Sequence, residues 1–236
     1  MQTVKIDREN TQLIAHRGLS GIEPENTQSA FVAAGKRDYF GIETDVHVTA
    51  DKRFVVIHDN TTERVSRKNI NIEKSTFDEI RKIRLNGKRF FEFHQIPSLE
   101  EYIEICKEYR KKSVIELKNK FTADDIKRLI EEIKALHYLD NVIFISFSFN
   151  NMIVLRELLP KQSLQFLCAE INGDVIKKLN DYSLDVDVSH IKLTKKDIDE
   201  VHSNNHLINV WTVDRRERAE ELISYGVDFI TTNILV

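Results

Sequence analysis

Apolar residues fall into short runs, each ended by charged or polar residues, and helical patterns stand between them. Short apolar runs bounded by such punctuation read as buried strands. Nine strands are predicted: Leu13–His16, Gly41–Val48, Phe54–His58, Val114–Leu117, Val142–Phe147, Leu164–Cys168, Asp185–Val188, Leu207–Val213 and Phe229–Thr232. Helical patterns cover Ala30–Lys36, Leu99–Arg110 and Arg216–Tyr225, among others. Alternation of the two kinds argues βα units around a parallel sheet. If Phe54–His58 extends the Gly41–Val48 unit, eight strands remain, the count of a (β/α)8 barrel of the α/β class.

Local signals sharpen the boundaries. Asn26 or Thr27 is a natural helix N-cap, and the cap is preferred to a contact with the chemistry. Ser75 or Thr76 with Glu79 marks a helix start. Ser98 caps the helix opened by Leu99, and Gly226 stops the last one in a left-handed C-cap. Asn60–Gln95 is polar, charged and too long for a βα loop, so it holds structure of its own. It reads as an insertion subdomain at roughly residues 60–95, after the second strand, within a single domain spanning 1–236.

Composition narrows the class. A chain of 236 residues with a 41% hydrophobic content suits one large domain with a substantial core. A net charge of -3 makes no electrostatic case for nucleic acid or an anionic membrane surface. Cys106 and Cys168 stand apart with no zinc spacing and read as buried free thiols of a reducing compartment. The opening MQTVKIDRENTQ is polar, and no run approaches a membrane span, so neither a signal peptide nor a transmembrane helix is expected and the expected location is the cytoplasm.

The charged residues collect at the C-terminal ends of the predicted strands, where barrels place their sites. Glu43 and Asp45 are two apart on one strand and share a face, as do Glu116 and Lys118 on another. Two carboxylates about 4 Å apart repel by roughly 4 kcal/mol at an effective dielectric of 20. Adding Glu116 sharpens the conflict, which protons, a cation or a pairing Lys or Arg must resolve. Three carboxylates suit a hard divalent ion, Mg²⁺ or Ca²⁺, with other positions open to water or substrate. His16 and His58 end two strands and can supply a base and an acid in one turnover. His47 shares the face of Glu43 and Asp45 and is assigned no role. Arg17 offers a planar fork for phosphate oxygens, Lys118 a point charge, and Trp211 an apolar platform.

His16-Arg17-Gly18, Pro24-Glu25-Asn26-Thr27, Glu43-Thr44-Asp45-Val46 with Thr49 and Asp51, and Val55-Val56 with His58-Asp59 stand in one order and spacing. As a set they resemble the glycerophosphodiester phosphodiesterase family, of the short bacterial type, and Ile96-Pro97-Ser98-Leu99 and the closing Gly226–Thr232 extend the likeness along nearly the whole chain. The resemblance implies a TIM barrel whose insertion covers part of the site. It implies metal-dependent hydrolysis of a small glycerophosphodiester to sn-glycerol 3-phosphate and an alcohol, with His16 and His58 sharing the base and acid roles, in either order, and Glu43, Asp45 and Glu116 as metal ligands. The attacking hydroxyl is then that of the glycerol, through a cyclic phosphate, or that of water. Relatives that act on lysophospholipids would want an apolar rim, for which Phe90-Phe91-Glu92-Phe93 is the candidate, though it reads better as core of the insertion. Thr232-Asn233 departs from the family's Thr-Asp, a difference expected to touch none of the catalytic residues.

Overall fold

A computed structural model describes residues 2–87 and 93–236, and every count below is of those. Eight parallel strands close into a barrel: β1 (Gln12–Ala15), β2 (Gly41–Val48), β6 (Lys112–Leu117), β7 (Val142–Ser146), β8 (Ser163–Cys168), β9 (Asp185–Ser189), β10 (Ile208–Trp211) and β11 (Phe229–Thr232). β1 pairs with β11 on one side and β2 on the other, so the sheet has no free edge. β3 (Phe54–Val56) folds back antiparallel on the end of β2, which leaves eight barrel strands as expected.

Seven helices pack outside: α1 (Gln28–Gly35), α3 (Leu99–Glu108), α4 (Ala123–Ala135), α5 (Phe149–Leu158), α6 (Gly173–Tyr182), α7 (Lys195–Ser203) and α8 (Arg216–Tyr225). The main core lies between them and the strands, where α3 sends Tyr102 Oη to the carbonyl of Ile42, 2.6 Å away. A smaller core of Ile14, Val114, Ile143, Ile145 and Leu167 fills the barrel. Capping follows the local signals. Ser98 and Thr76 each form a full capping box, with Glu101 and Glu79. Gly226 adopts φ +91° at the end of α8.

The insertion contributes α2 (Phe77–Arg81) and a two-residue ladder of β4 (Leu85–Asn86) with β5 (Phe93–His94). Ile72, Ile80, Ile83, Leu85 and Ile96 bury themselves against Val55 and Ile57 in a cluster of their own. Residues 90–92 of the aromatic run lie outside the described residues. Phe93 is 60% exposed under the Arg84 guanidinium, so this ring is not core. β7 stops one residue before the expected Phe147. Ser146 Oγ donates to the carbonyl of Leu117 and accepts from the amide of Ser148, which turns the chain into α5. Cys106 and Cys168 are buried free thiols, and no described helix is long and apolar enough to cross a membrane.

Candidate active site

The loop after β1 carries the first functional groups on a constrained backbone. Arg17, Gly18 and Asn26 take φ of +53°, +75° and +53°. At Gly18 a Cβ would stand 2.6 Å from the backbone carbon of Ala30, so only glycine lets the loop pass under α1. The amide of Arg17 donates to Glu43 Oε2 at 2.8 Å, and the amide of Asn26 donates to the carbonyl of Arg17 at 3.0 Å. Thr27, not Asn26, caps α1. Asn26 instead donates through Nδ2 to Asp45 Oδ2 at 2.7 Å and accepts from Thr44 Oγ1 at 2.8 Å. Thr27 thus bears out the cap expected of this pair, while the Asn26 side chain positions a carboxylate.

Strand register assembles the carboxylates. Asp45 lies opposite Glu116 in the β2–β6 pairing, and Glu43 is one inward-facing step before it. Glu43, Asp45 and Glu116 are 3%, 1% and 7% exposed, and each offers an oxygen within 4.8 Å of the other two. Lys118 Nζ lies 3.3 Å from Asp45 Oδ1 and 3.0 Å from Glu116 Oε1, while Arg17 Nε is 3.3 Å from Asp45 Oδ2. Burial, reinforced by Asp45, pushes Glu43 well above the usual carboxylate range and Glu116 up to about 7. Burial works against the charge of Asp45 too, but Lys118 and Arg17 outweigh it and hold that carboxyl low. Two basic side chains thus leave part of the acidic charge uncompensated. Glu116 Oε1 is buried without a hydrogen bond, because its contact with Lys118 misses hydrogen-bond geometry. An all-oxygen, buried, incompletely satisfied donor set fits a hard divalent cation.

The two histidines have different partners. His16 Nδ1 lies 2.8 Å from Asn233 Oδ1. Asn233 donates its Nδ2 and its backbone amide to the Asp214 carboxylate, which only accepts, so the amide oxygen faces the imidazole. Nδ1 of His16 therefore carries the hydrogen and Nε2 is left as the lone pair. Burial, aided by the Arg17 charge, lowers His16 from 6.5 to about 4. The expectation that Asn233 touches none of the proposed catalytic residues is overturned: barrel closure sets the end of β11 directly beside His16. His58 Nδ1 instead meets a carboxylate, Asp59 Oδ1, at 2.6 Å. Arg64 Nε holds the other oxygen of Asp59 at 2.6 Å. His47 is buried, and its Nε2 donates to the carbonyl of His58 at 3.2 Å, a supporting contact for the strand end.

His16, Arg17, Glu43, His58, Glu116, Lys118 and Trp211 line one cavity of about 130 Å³, and Asp45 lies behind them against Arg17 and Lys118. Every residue singled out from the sequence is thus brought to one end of the barrel. Its opposite wall is apolar, made by Ile145, Leu167 and the rings of Phe147 and Trp211, which meet edge to face at 5.6 Å. Sequence reasoning missed Asn26, Asp59, Arg64, Asn233 and Asp187 as members of this network. Asn26 and Asp59 stood inside quoted motifs. Asn233 was visible only as a departure from the family's Thr-Asp, and Arg64 and Asp187 gave no signal of their own.

The model of the glycerophosphoryl diester phosphodiesterase family matches residues 16–235. A glycerophosphodiester phosphodiesterase of Caldanaerobacter subterraneus subsp. tengcongensis is 31% identical over 231 residues, 94% of each chain. One from Bacillus altitudinis is 28% identical over 235 residues, again 94% of each. Among solved structures, a glycerophosphodiester phosphodiesterase of Parabacteroides distasonis superposes with a TM-score of 0.80 at 28% identity, covering 96% of this chain and 94% of that one. A phosphodiesterase of Oleispira antarctica, in complex with its product sn-glycerol-3-phosphate, superposes with a TM-score of 0.87 at 22% identity, covering 94% of this chain and 92% of that one.

Proposed function

The chain belongs to the glycerophosphoryl diester phosphodiesterase family and is a phosphodiesterase, and from that premise we propose that it releases sn-glycerol 3-phosphate and an alcohol with two histidines and one divalent cation. The observation that carries this reading is the pair His16 and His58, facing one cavity above three buried carboxylates and held by unlike partners.

Glu43, Asp45 and Glu116 hold the cation, Mg²⁺ or Ca²⁺, which supplies charge stabilisation to the phosphate oxygens when bound. Arg17 presents its fork to the phosphate, fixed by Glu25 at 2.9 Å and by Asp45. Lys118 orients Glu116 and adds a positive charge to the same side. His16, neutral and with Nε2 free, takes the proton of the attacking hydroxyl, whether from the glycerol or from water. His58, its Nδ1 held by Asp59, gives a proton to the leaving alcohol. Trp211 and Phe147 form the apolar side against which carbon atoms rest. The glycerol 3-phosphate bound to the Oleispira antarctica protein supports the same product here.

The test is release of glycerol 3-phosphate from glycerophosphocholine. Release is expected to vanish after EDTA and return with Mg²⁺ or Ca²⁺. Undiminished release in metal-stripped protein would sink the cation's part. His16→Ala and His58→Ala are each expected to lower kcat by about 10²–10⁴. A loss under about threefold in a folded variant removes that histidine from the reaction.

A further inference from the structure

Asp187 stands in the cavity wall with no part in the chemistry above. It is the third residue of β9, 2% exposed, and it lines the same cavity as His16, Glu116 and Trp211. Its Oδ1 is buried with no hydrogen-bond partner. Among the described residues no cation pairs with it, and its side chain meets only the Asn209 amide, which is shared with Gln165 at 3.3 Å. Such a group is costly to the folded chain unless something else satisfies it.

The chemistry of the missing partner follows from the surroundings. A phosphate is drawn to the positive charges of Arg17 and Lys118, which line other parts of the cavity. Burial, with Glu116 nearby, raises the Asp187 carboxyl and works against the charge that a cationic head group would seek. The unpartnered Oδ1 accepts from a hydroxyl in either protonation state, and a protonated carboxyl also donates to one. Its neighbours on the wall, Ile145, Leu167 and Trp211, suit the carbon chain that carries one. We infer that Asp187 is the glycerol-recognition residue, its unpartnered oxygen meeting a hydroxyl of the glycerol moiety beside the apolar wall. This assignment rests on the glycerophosphodiester reading above and adds the residue that tells glycerol from other alcohols. A site built to bond a hydroxyl rejects the analogue that lacks it.

The experiment compares glycerophosphocholine with 2-hydroxypropyl phosphocholine, which keeps the hydroxyl next to the ester arm and lacks the terminal one. The parent protein is expected to prefer glycerophosphocholine in kcat/KM by roughly tenfold or more. Asp187→Leu should cut that preference below about threefold, chiefly through KM, and Asp187→Asn, which still donates and accepts, should restore part of it. Asp187→Ala replaces Leu if that chain does not fold. Tm of the apolar variants should equal or exceed the parent's, since they remove an unsatisfied buried group. A fall of more than about 4 °C would show that Asp187 serves the barrel instead, and would overturn the assignment. Full preference retained in Asp187→Leu, with glycerophosphocholine still hydrolysed, overturns this assignment alone. Hydrolysis of neither diester by the parent removes the substrate reading and this assignment with it.

Discussion

At the scale of single residues, the hydrogen bond between Asn233 and His16 decides which proton the site can accept. The amide is neutral, so it fixes the tautomer without adding charge, and burial with Arg17 keeps His16 deprotonated down to about 4. The base form therefore persists as pH falls through 6.5, and with His16 as the proposed base the acid limb of kcat/KM is expected well below that value. Asn233→Asp places a carboxylate at Nδ1, which favours the imidazolium and raises the pKa. The limb is expected to move toward neutrality, so that activity at pH 5 relative to pH 8 falls severalfold. A pH profile identical to the parent's would remove His16 as the base. The residues of this contact are legible in the sequence, but the contact is not. Asn233 was visible as a departure, yet its neighbour lies at the other end of the chain and is reached only through β1–β11 pairing. Glu43 with Asp45, and Glu116 with Lys118, were legible because strand alternation alone puts each pair on one face.

At the scale of elements, the insertion reaches into the site through one side chain. Arg64 binds Glu25 through Nη1 and Nη2 at 2.8 and 2.7 Å and Asp59 through Nε, while Glu25 also takes Arg17. One guanidinium thus ties the partner of Arg17 to the partner of His58. Its side chain is 48% exposed, so it adds little to stability. Arg64→Ala is expected to lower kcat/KM by roughly 10- to 100-fold through misplaced groups, with Tm changed by less than about 2 °C. Arg64→Lys should not rescue it, because an ammonium cannot hold both carboxylates in one fork. An Arg64→Ala variant with the parent's kcat/KM would sever the insertion from the chemistry. Helix starts in and after this segment were legible because capping boxes are local, as at Thr76 and Ser98. The β4–β5 ladder was not, because two residues carry no period and their pairing depends on contacts elsewhere.

At the scale of the whole molecule, the barrel gathers buried acids at one end and leaves part of their charge unmatched. A cation bound there should act as a staple on the folded state. At about 100 times its Kd, Mg²⁺ or Ca²⁺ would add about 2.7 kcal/mol, a rise of roughly 5–10 °C in Tm for a chain of this size. Asp45→Asn should abolish that rise, and a parent Tm indifferent to every divalent ion would count against the cation. The architecture was largely legible, since each of the eight barrel strands announces itself as a buried apolar run. What pattern cannot supply is the interior neighbourhood. Asp187 reads as an ordinary polar step in DVDVS until closure sets it across from Glu116 and Trp211.

The left-handed turn after β1 bears on timing. Arg17, Gly18 and Asn26 hold positive φ, and the amides of Arg17 and Asn26 are already committed to Glu43 and to the loop's own backbone. Backbone held this way is set in advance by its surroundings. The backbone that carries Arg17 is therefore in place before any diester arrives, and binding is expected to require no rearrangement of this loop.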